Sequence, residues 1–282
     1  MPHPFGNDVE LRSRIITYLG EQTLPRIVAL TSPLFAPNDR RQPDLVGSGI
    51  VLQIGGARLL LTATHVSERH AGLSLNVGDE LILVRGESLV IHTLDSVAGS
   101  DEDEIDVLVV RLDAELADRI RSEHVAQLSD IDFSIPEIGR DPFLLVGYPC
   151  SRNRDGLVGD EFTARAYPLL MHDGDTPLYA ALNADTDSQL VLPFEKKDIW
   201  TITGQVSAPD LNGISGGGLW RVPVHDESRI GDTRLAALGI ECQAKGRHRH
   251  IRATRIRTVL TAVFNSFPDL RPALTAAMPG AE

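Results

Sequence analysis

Apolar residues fall along this chain mostly in short runs, separated by glycine, proline and clusters of polar residues. That is the pattern of antiparallel strands joined by turns. Arg26 to Thr31 reads as a first strand, and residues 32–44, with Pro33, Pro37 and Pro43 among polar positions, read as a loop. Leu45 to Ile54 and Ala57 to Thr64 are two strands joined by Gly55-Gly56, a strong hairpin signal. Leu73 to Thr93 continues as strand, broken at Gly78-Asp79 and at Gly86-Glu87. Asp141 to Pro149 opens a second set of strands, and residues 150–208 alternate apolar runs with turns over a length that leaves room for an insertion around 172–200. Leu219 to Val224 and Leu235 to Cys242 complete the strands.

Other stretches carry a helical period. Residues 8–19 read as a helix capped by Asn7, with Glu10 in its first turn, Gly20 as its stop, and Leu11, Ile15 and Leu19 on one apolar face. Ala114 to Leu128 looks helical, and residues 129–141 follow as a polar stretch with Pro136 and Gly139. Ala253 to Phe267 is a strong helix with Ile256, Val259, Leu260, Val263, Phe264 and Phe267 on one face. No internal repeat interrupts this order.

Composition narrows the function classes. Of 282 residues, 42% are hydrophobic and 23% charged, enough apolar content for a full core. A net charge of −12 argues against a nucleic-acid partner. Met1 to Leu11 has neither the basic start nor the apolar centre of a signal peptide. No apolar run approaches the ~18 residues of a membrane span. The expectation is a cytoplasmic, bacterial protein with no membrane partner. The acidic run Asp101 to Glu104 reads as a solvated loop.

The candidate chemistry centres on Asn212-Gly213-Ile214-Ser215-Gly216-Gly217-Gly218-Leu219-Trp220. Four glycines around one serine weaken any helix or strand, but they suit a backbone that must approach another group closely. A nucleophile beside converging backbone N–H groups has that need. Upstream, Leu60-Leu61-Thr62-Ala63-Thr64-His65-Val66 ends an apolar strand on a histidine. Glu104-Ile105-Asp106-Val107-Leu108-Val109-Val110 starts one on an aspartate. His65, Asp106 and Ser215 therefore lie, in that order, at the edges of buried-looking strands. The nucleophile elbow of α/β-hydrolases also contains G-x-S-x-G, but it runs from strand to helix. Here Ser215 follows the loop Ser207-Ala208-Pro209-Asp210 and precedes a strand. His248 and His250, in the basic run from Lys245 to His250, lack the partners of a zinc site and read as a solvated loop.

On the motifs T-A-T-H, D-V-L-V and G-I-S-G-G, the chain resembles the trypsin-like (chymotrypsin-fold) serine peptidases. Gly47-Ser48-Gly49-Ile50 is similar to their bacterial HtrA-like members. The resemblance covers roughly residues 25–250 and implies an all-β fold of two antiparallel six-stranded β-barrels, with an added N-terminal helix and a C-terminal helix. The chain then divides into a helical extension (1–24), a first barrel with His65 and Asp106 (25–128), a linker (129–140), and a second barrel with Ser215 and the last helix (141–282). The resemblance implies His65 as general base, Asp106 as its orienting carboxylate, Ser215 as nucleophile, and the N–H groups of Gly213 and Ser215 as the oxyanion hole. The substrate would be a protein or peptide, and no metal or cofactor is implied.

Two departures from trypsin stand out. Secreted relatives carry several disulfides, whereas only Cys150 and Cys242 occur here. The acid that precedes the serine in trypsin, and pairs there with a freed N-terminus, is replaced by Ile214. Activation by cleavage is therefore not expected; the loop is either preset or set by an activating partner. The specificity pocket falls at Pro209 and Asp210, with Glu241 or Cys242 facing it from the other wall, and the favoured side chain stays open. Two other functions share these residues: an inactive peptidase fold that binds peptides or a partner, and an esterase using the same triad.

Overall fold

Helix α1 (Val9–Tyr18) passes through a π-helical turn, Leu19–Thr23, into α2 (Leu24–Leu30). Ile15, Leu19, Ile27 and Leu30 are all buried, so one apolar face runs along both helices. Gly20 does not stop the helix as expected. Buried Leu19 holds the chain on the core, and the widened turn carries the glycine. Nor is Arg26 to Thr31 a strand. Pro25 lies in the first turn of α2, where a helix tolerates proline, and Ile27 and Leu30 are buried at helical spacing. The structure, a computed structural model, describes residues 9–68, 72–78, 80–92, 105–134, 141–153, 157–158, 161–162, 164–197, 199–201, 203–226, 229–244, 246 and 248–278. The expected cap Asn7 and the acidic run 101–104 lie outside them.

The expected loop over 32–44 is largely strand: β1 (Thr31–Pro37) pairs with β2 (Pro43–Ile54). Pro33 and Pro37 fit because β1 meets its second neighbour only through Leu34 and Phe35, and a bulge falls between those two residues. The Gly55-Gly56 hairpin leads into β3 (Ala57–Ala63), as expected. Then come α3 (Thr64–Glu68), β4 (Ser74–Val77), β5 (Glu80–Leu83), β6 (Gly86–His92) and β7 (Asp106–Leu112). The sheet order is β5-β4-β1-β2-β3-β7-β6. β5 pairs with β4 while β6 pairs with β7, so Glu80 to His92 acts as one bent strand that closes a six-stranded barrel. Gly86 opens β6 rather than breaking the strand: its φ is +149°, and a Cβ there would lie 1.8 Å from the Arg111 carbonyl oxygen. The break is at Val84-Arg85.

The helix expected over Ala114 to Leu128 is short. α4 (Ala114–Arg119) is capped by the Asp113 carboxylate, which accepts from the Leu116 N–H at 2.9 Å, and 3₁₀ turns follow at Ser122–His124 and Leu128–Asp130. The second half contains β8 (Pro142–Gly147), the hairpin β9 (Leu157–Val158) and β10 (Glu161–Phe162), β11 (Tyr167–His172), α5 (Thr176–Ala181) and β12 (Gln189–Pro193). The hairpin β13 (Ile199–Thr201) and β14 (Gly204–Val206) comes next, then β15 (Gly218–Arg221), the hairpin β16 (Val224–Asp226) and β17 (Arg229–Ile230), β18 (Arg234–Gln243) and β19 (His250–Arg255). The main sheet runs β12-β19-β18-β15-β8-β11-β13-β14, and β11 lies against β12. Six strands thus make the second barrel, with the β13–β14 hairpin added. β12 is an integral strand, so within 172–200 the extra parts are α5 with its loops and the start of the β13–β14 hairpin. The architecture is all-β with two antiparallel barrels, as the sequence led us to expect.

Alternation along β8 joins two cores. Phe143 and Leu145 enter the core of the second barrel, while Leu144 and Val146 enter a larger core shared with the first barrel and the helices. The last helix begins later than expected. Ala253, Thr254 and Arg255 finish β19, which is hydrogen-bonded to strands on both sides, and α6 (Ile256–Ser266) follows, then α7 (Arg271–Ala277). Ile256, Val259, Leu260 and Val263 are fully buried, each burial contributing about 1.5–3 kcal/mol. They pack α6 across β18, β19 and β6, which ties the barrels together. His250 is buried at the start of β19 rather than lying in a solvated loop, and its Nδ1 bonds the His248 carbonyl at 2.8 Å. Lys245 and Arg247 lie outside the described residues.

Arg221 clamps the two ends of the segment between the barrels. Its Nε is 2.7 Å from Asp132 Oδ2 and its Nη1 is 3.4 Å from Asp141 Oδ2, with both carboxylates 5% exposed. Arg221→Met leaves two buried carboxylates without their cation. It should destabilise the protein by about 3–5 kcal/mol, read as a lower midpoint in urea unfolding; an unchanged midpoint would show that the clamp is not needed.

Candidate active site

The first barrel's contribution follows from strand register. β3 and β7 pair with Ala63 opposite Val107, so the chain leaves β3 beside the start of β7, where Asp106 stands. His65 lies in the first turn of α3, two residues beyond the end of β3. Asp106 uses both oxygens on it: Oδ1 accepts from the His65 backbone N–H at 3.2 Å, and Oδ2 accepts from the ring Nδ1 in a short contact. An ionised carboxylate can only accept, so Nδ1 carries a hydrogen, and in the neutral ring that leaves Nε2 as the acceptor. Burial pushes the Asp106 carboxyl up, but the hydrogen bond from the His65 ring, and then that ring's charge, outweigh it and hold the group below its ordinary 3.8.

The second barrel's contribution rests on four consecutive peptides, each held from outside. The Asn212 carbonyl accepts from Cys150 N–H at 2.7 Å. The Gly213 carbonyl accepts from the Ser48 hydroxyl at 2.8 Å, and Ile214 N–H donates to Leu211 O at 2.9 Å. The Ile214 carbonyl accepts from Gly217 N–H at 2.8 Å. The Ser215 carbonyl accepts from Ser48 N–H at 2.9 Å, and Gly216 N–H donates to Gly239 O at 2.7 Å. In a trans peptide the C=O and N–H point opposite ways. Fixing these carbonyls therefore fixes the N–H groups of Gly213 and Ser215, which have no acceptor among the described residues.

Glycine is required twice here. Gly213 has φ +93°, and a Cβ there would meet Cys150 Sγ at 2.5 Å. Gly216 has φ +82°, and its Cβ would lie 2.0 Å from the Ser48 carbonyl oxygen. Ile214, in place of an acid, is 4% exposed and packs into the second barrel's core.

His65, Gly213 and Ser215 line one cleft of about 1150 Å³. Pro209, Asp210 and Cys242 line it too, so those pocket assignments fall on the cleft wall. Glu241 does not. The bulge between Gly239 and Glu241 and the alternation of β18 turn Glu241 to solvent and Cys242 inward. Burial pushes the Cys242 thiol up to about 12, helped by the charges of Glu241 and Asp210 and opposed by Lys196, so it stays a neutral thiol rather than a nucleophile. Sequence reasoning missed Cys150 and Lys196 on the same wall, and Asn38, Asp39, Arg41 and Asp44 on the first barrel's rim. It also missed the part of Ser48: the Gly47-Ser48-Gly49 motif was visible, but its hydrogen bonds to a loop 165 residues away were not.

No protein-family model and no curated protein matches the chain. Solved structures do. One, described as "Structure of GrC", superposes with a TM-score of 0.52 at 13% identity, covering 86% of this chain and 96% of that one. A kallikrein-related peptidase 10 in complex with Zn2+ gives 0.50 at 14% identity, covering 86% and 97%. The fold is that of the trypsin-like serine proteases. The zinc is a ligand of that kallikrein complex. Among the described residues of this chain, no three His, Cys, Asp or Glu side chains are grouped to hold a metal, and no helix is long and apolar enough to cross a membrane.

Because the Asp106 carboxyl sits below its unfolded value, its contribution to stability is present above about pH 3.8 and is lost as pH falls through the folded value. Thermal unfolding of Asp106→Asn should therefore lose less stability than the parent between pH 4 and pH 2. Identical acid slopes would show that the His65 contact does not favour the ionised form.

Proposed function

We propose that this chain is a serine endopeptidase that hydrolyses protein or peptide substrates through an acyl-enzyme. The observation that carries the reading is the pinned run of peptides from Asn212 to Gly216, whose Gly213 and Ser215 N–H groups have no acceptor among the described residues and whose loop lines one cleft with His65. In this reading Ser215 Oγ attacks the scissile carbonyl carbon while its proton passes to His65 Nε2. The carbonyl oxygen takes the negative charge and is held by the two N–H groups. As the tetrahedral species collapses, His65 gives that proton to the departing amine. Water then attacks the acyl-enzyme, losing a proton to Nε2, and the same proton returns to Ser215 on release of the acid. Asp106 keeps Nδ1 protonated and stabilises the imidazolium.

The cleft exceeds the usual ~300–1,000 Å³ of a small-molecule pocket, which favours a peptide over a small ester. The Gly47-Ser48-Gly49 stretch supports the bacterial HtrA-like type. Burial of Ile214 in apolar core favours a loop preset by packing over one set by cleavage or by an activating partner.

A fluorophosphonate probe should label the protein, with the adduct mapped by mass spectrometry to Ser215. An adduct elsewhere, or none on folded protein, removes the enzyme reading. Asp106→Asn should lower kcat by about 10⁴-fold, because an amide NH₂ facing Nδ1 favours the wrong tautomer; a loss under about tenfold assigns the orienting role to another residue. The chain with its first residue verified by mass should cleave a denatured protein. Activity that appears only after a cut near residues 20–30 contradicts the argument from Ile214.

A further inference from the structure

We propose that Ser48, on the first barrel, is the positioning residue that keeps the Gly213–Ser215 loop of the second barrel ready for catalysis, in place of an N-terminal ion pair. The proposal rests on the peptidase reading above. Ser48 is fully buried and makes hydrogen bonds through three of its atoms. Its hydroxyl donates to the Gly213 carbonyl at 2.8 Å and accepts from the Tyr148 N–H at 2.9 Å. Its own N–H donates to the Ser215 carbonyl at 2.9 Å, and its carbonyl accepts from the Thr62 hydroxyl at 2.7 Å. Ser48 therefore grips the loop on both sides of Ile214, and the β3 strand grips Ser48.

Gly213 is the residue that needs such a grip. With no Cβ it can rotate at both φ and ψ. Its direction is fixed only because the peptide before it is held by Cys150 N–H and the peptide after it by the Ser48 hydroxyl. Tyr148 and Cys150 belong to one short stretch, and Tyr148 N–H also supplies the second bond of that hydroxyl. The three groups form a chain, Tyr148 N–H to Ser48 Oγ to Gly213 O. Bonds in such a chain polarise and strengthen one another. Removing the hydroxyl leaves a buried donor and a buried acceptor without partners and frees one side of Gly213. The bond from Cys150 N–H to the Asn212 carbonyl then holds the Gly213 N–H alone, without support from the following peptide, and the group loosened is one that acts on the transition state rather than on the bound substrate.

The test compares wild type with Ser48→Ala, using a peptide boronic acid, whose Ser215 adduct places an oxygen in the oxyanion position, and the same peptide ending in a carboxamide. Ser48→Ala should lower kcat at least tenfold with KM within about twofold. It should weaken the boronate by a similar factor and leave carboxamide binding unchanged. A folded Ser48→Ala with an unchanged boronate-to-carboxamide affinity ratio overturns the proposal, as does equal weakening of both ligands. If the alanine variant does not fold, Ser48→Cys carries the test. Its thiol is a weaker donor of similar shape, so the boronate-to-carboxamide ratio should fall in the same direction by less; an unchanged ratio overturns the proposal. A wild type that neither binds the boronate nor takes a fluorophosphonate overturns the peptidase reading itself. That outcome is distinct from an active wild type whose ratio Ser48→Ala leaves alone.

Discussion

The planarity of the peptide bond is the constraint on which the candidate site depends. A carbonyl held on one side of a trans peptide sends its N–H to the other. Between Asn212 and Gly216, four carbonyls are held by Cys150, Ser48 and Gly217. The directions of the Gly213 and Ser215 N–H groups follow from the held Asn212 and Ile214 carbonyls as geometry rather than as a property of any side chain. The holding groups come from β2 in one barrel, and from the stretch after β8 and the loop's own Gly217 in the other. Loop conformation is thus coupled to the docking of the barrels, and docking to the shared core of Leu144, Val146, Trp220 and Leu238. Burial of Ile214 adds to the same end: a side chain anchored in the second core leaves its backbone little freedom.

The His65–Asp106 pair is fixed by different means. Antiparallel register between β3 and β7 delivers the two residues to one corner, and the bidentate contact to ring and backbone sets the imidazole's tautomer. Electrostatics then separate the candidate nucleophiles. Cys242 shares the cleft with Ser215, but burial and the charges of Glu241 and Asp210 keep it protonated, so its thiolate is not available. The serine needs no such ionisation, because a base can take its proton during attack.

Much of this was legible in the sequence for identifiable reasons. His65, Asp106 and Ser215 each mark the edge of an apolar run, and Gly213 and Gly216 flank the serine's loop because side chains there would strike Cys150 and Ser48. The hairpin at Gly55-Gly56 and the buried face of α6 are local patterns, and the structure has them. What failed depended on tertiary packing. The helical state of Leu24 to Leu30 is set by burial of Ile27 and Leu30. The prolines of β1 suggested a loop because their neighbours in the sheet are far away in sequence. A single bulge in β18 decided between Glu241 and Cys242. Ser48 was visible only as a motif, since its partners lie 100 and 165 residues away.

The most direct test of the central claim is a crystal structure of the uncleaved chain, free and with a peptide boronate. The account predicts the same loop in both. The Asn212 carbonyl should bond Cys150 N–H, the Gly213 carbonyl should bond Ser48, and the boronate oxygen should lie between the N–H groups of Gly213 and Ser215. A free structure with the Asn212 carbonyl turned into the cleft would contradict it, as would an adduct whose oxygen touches neither N–H.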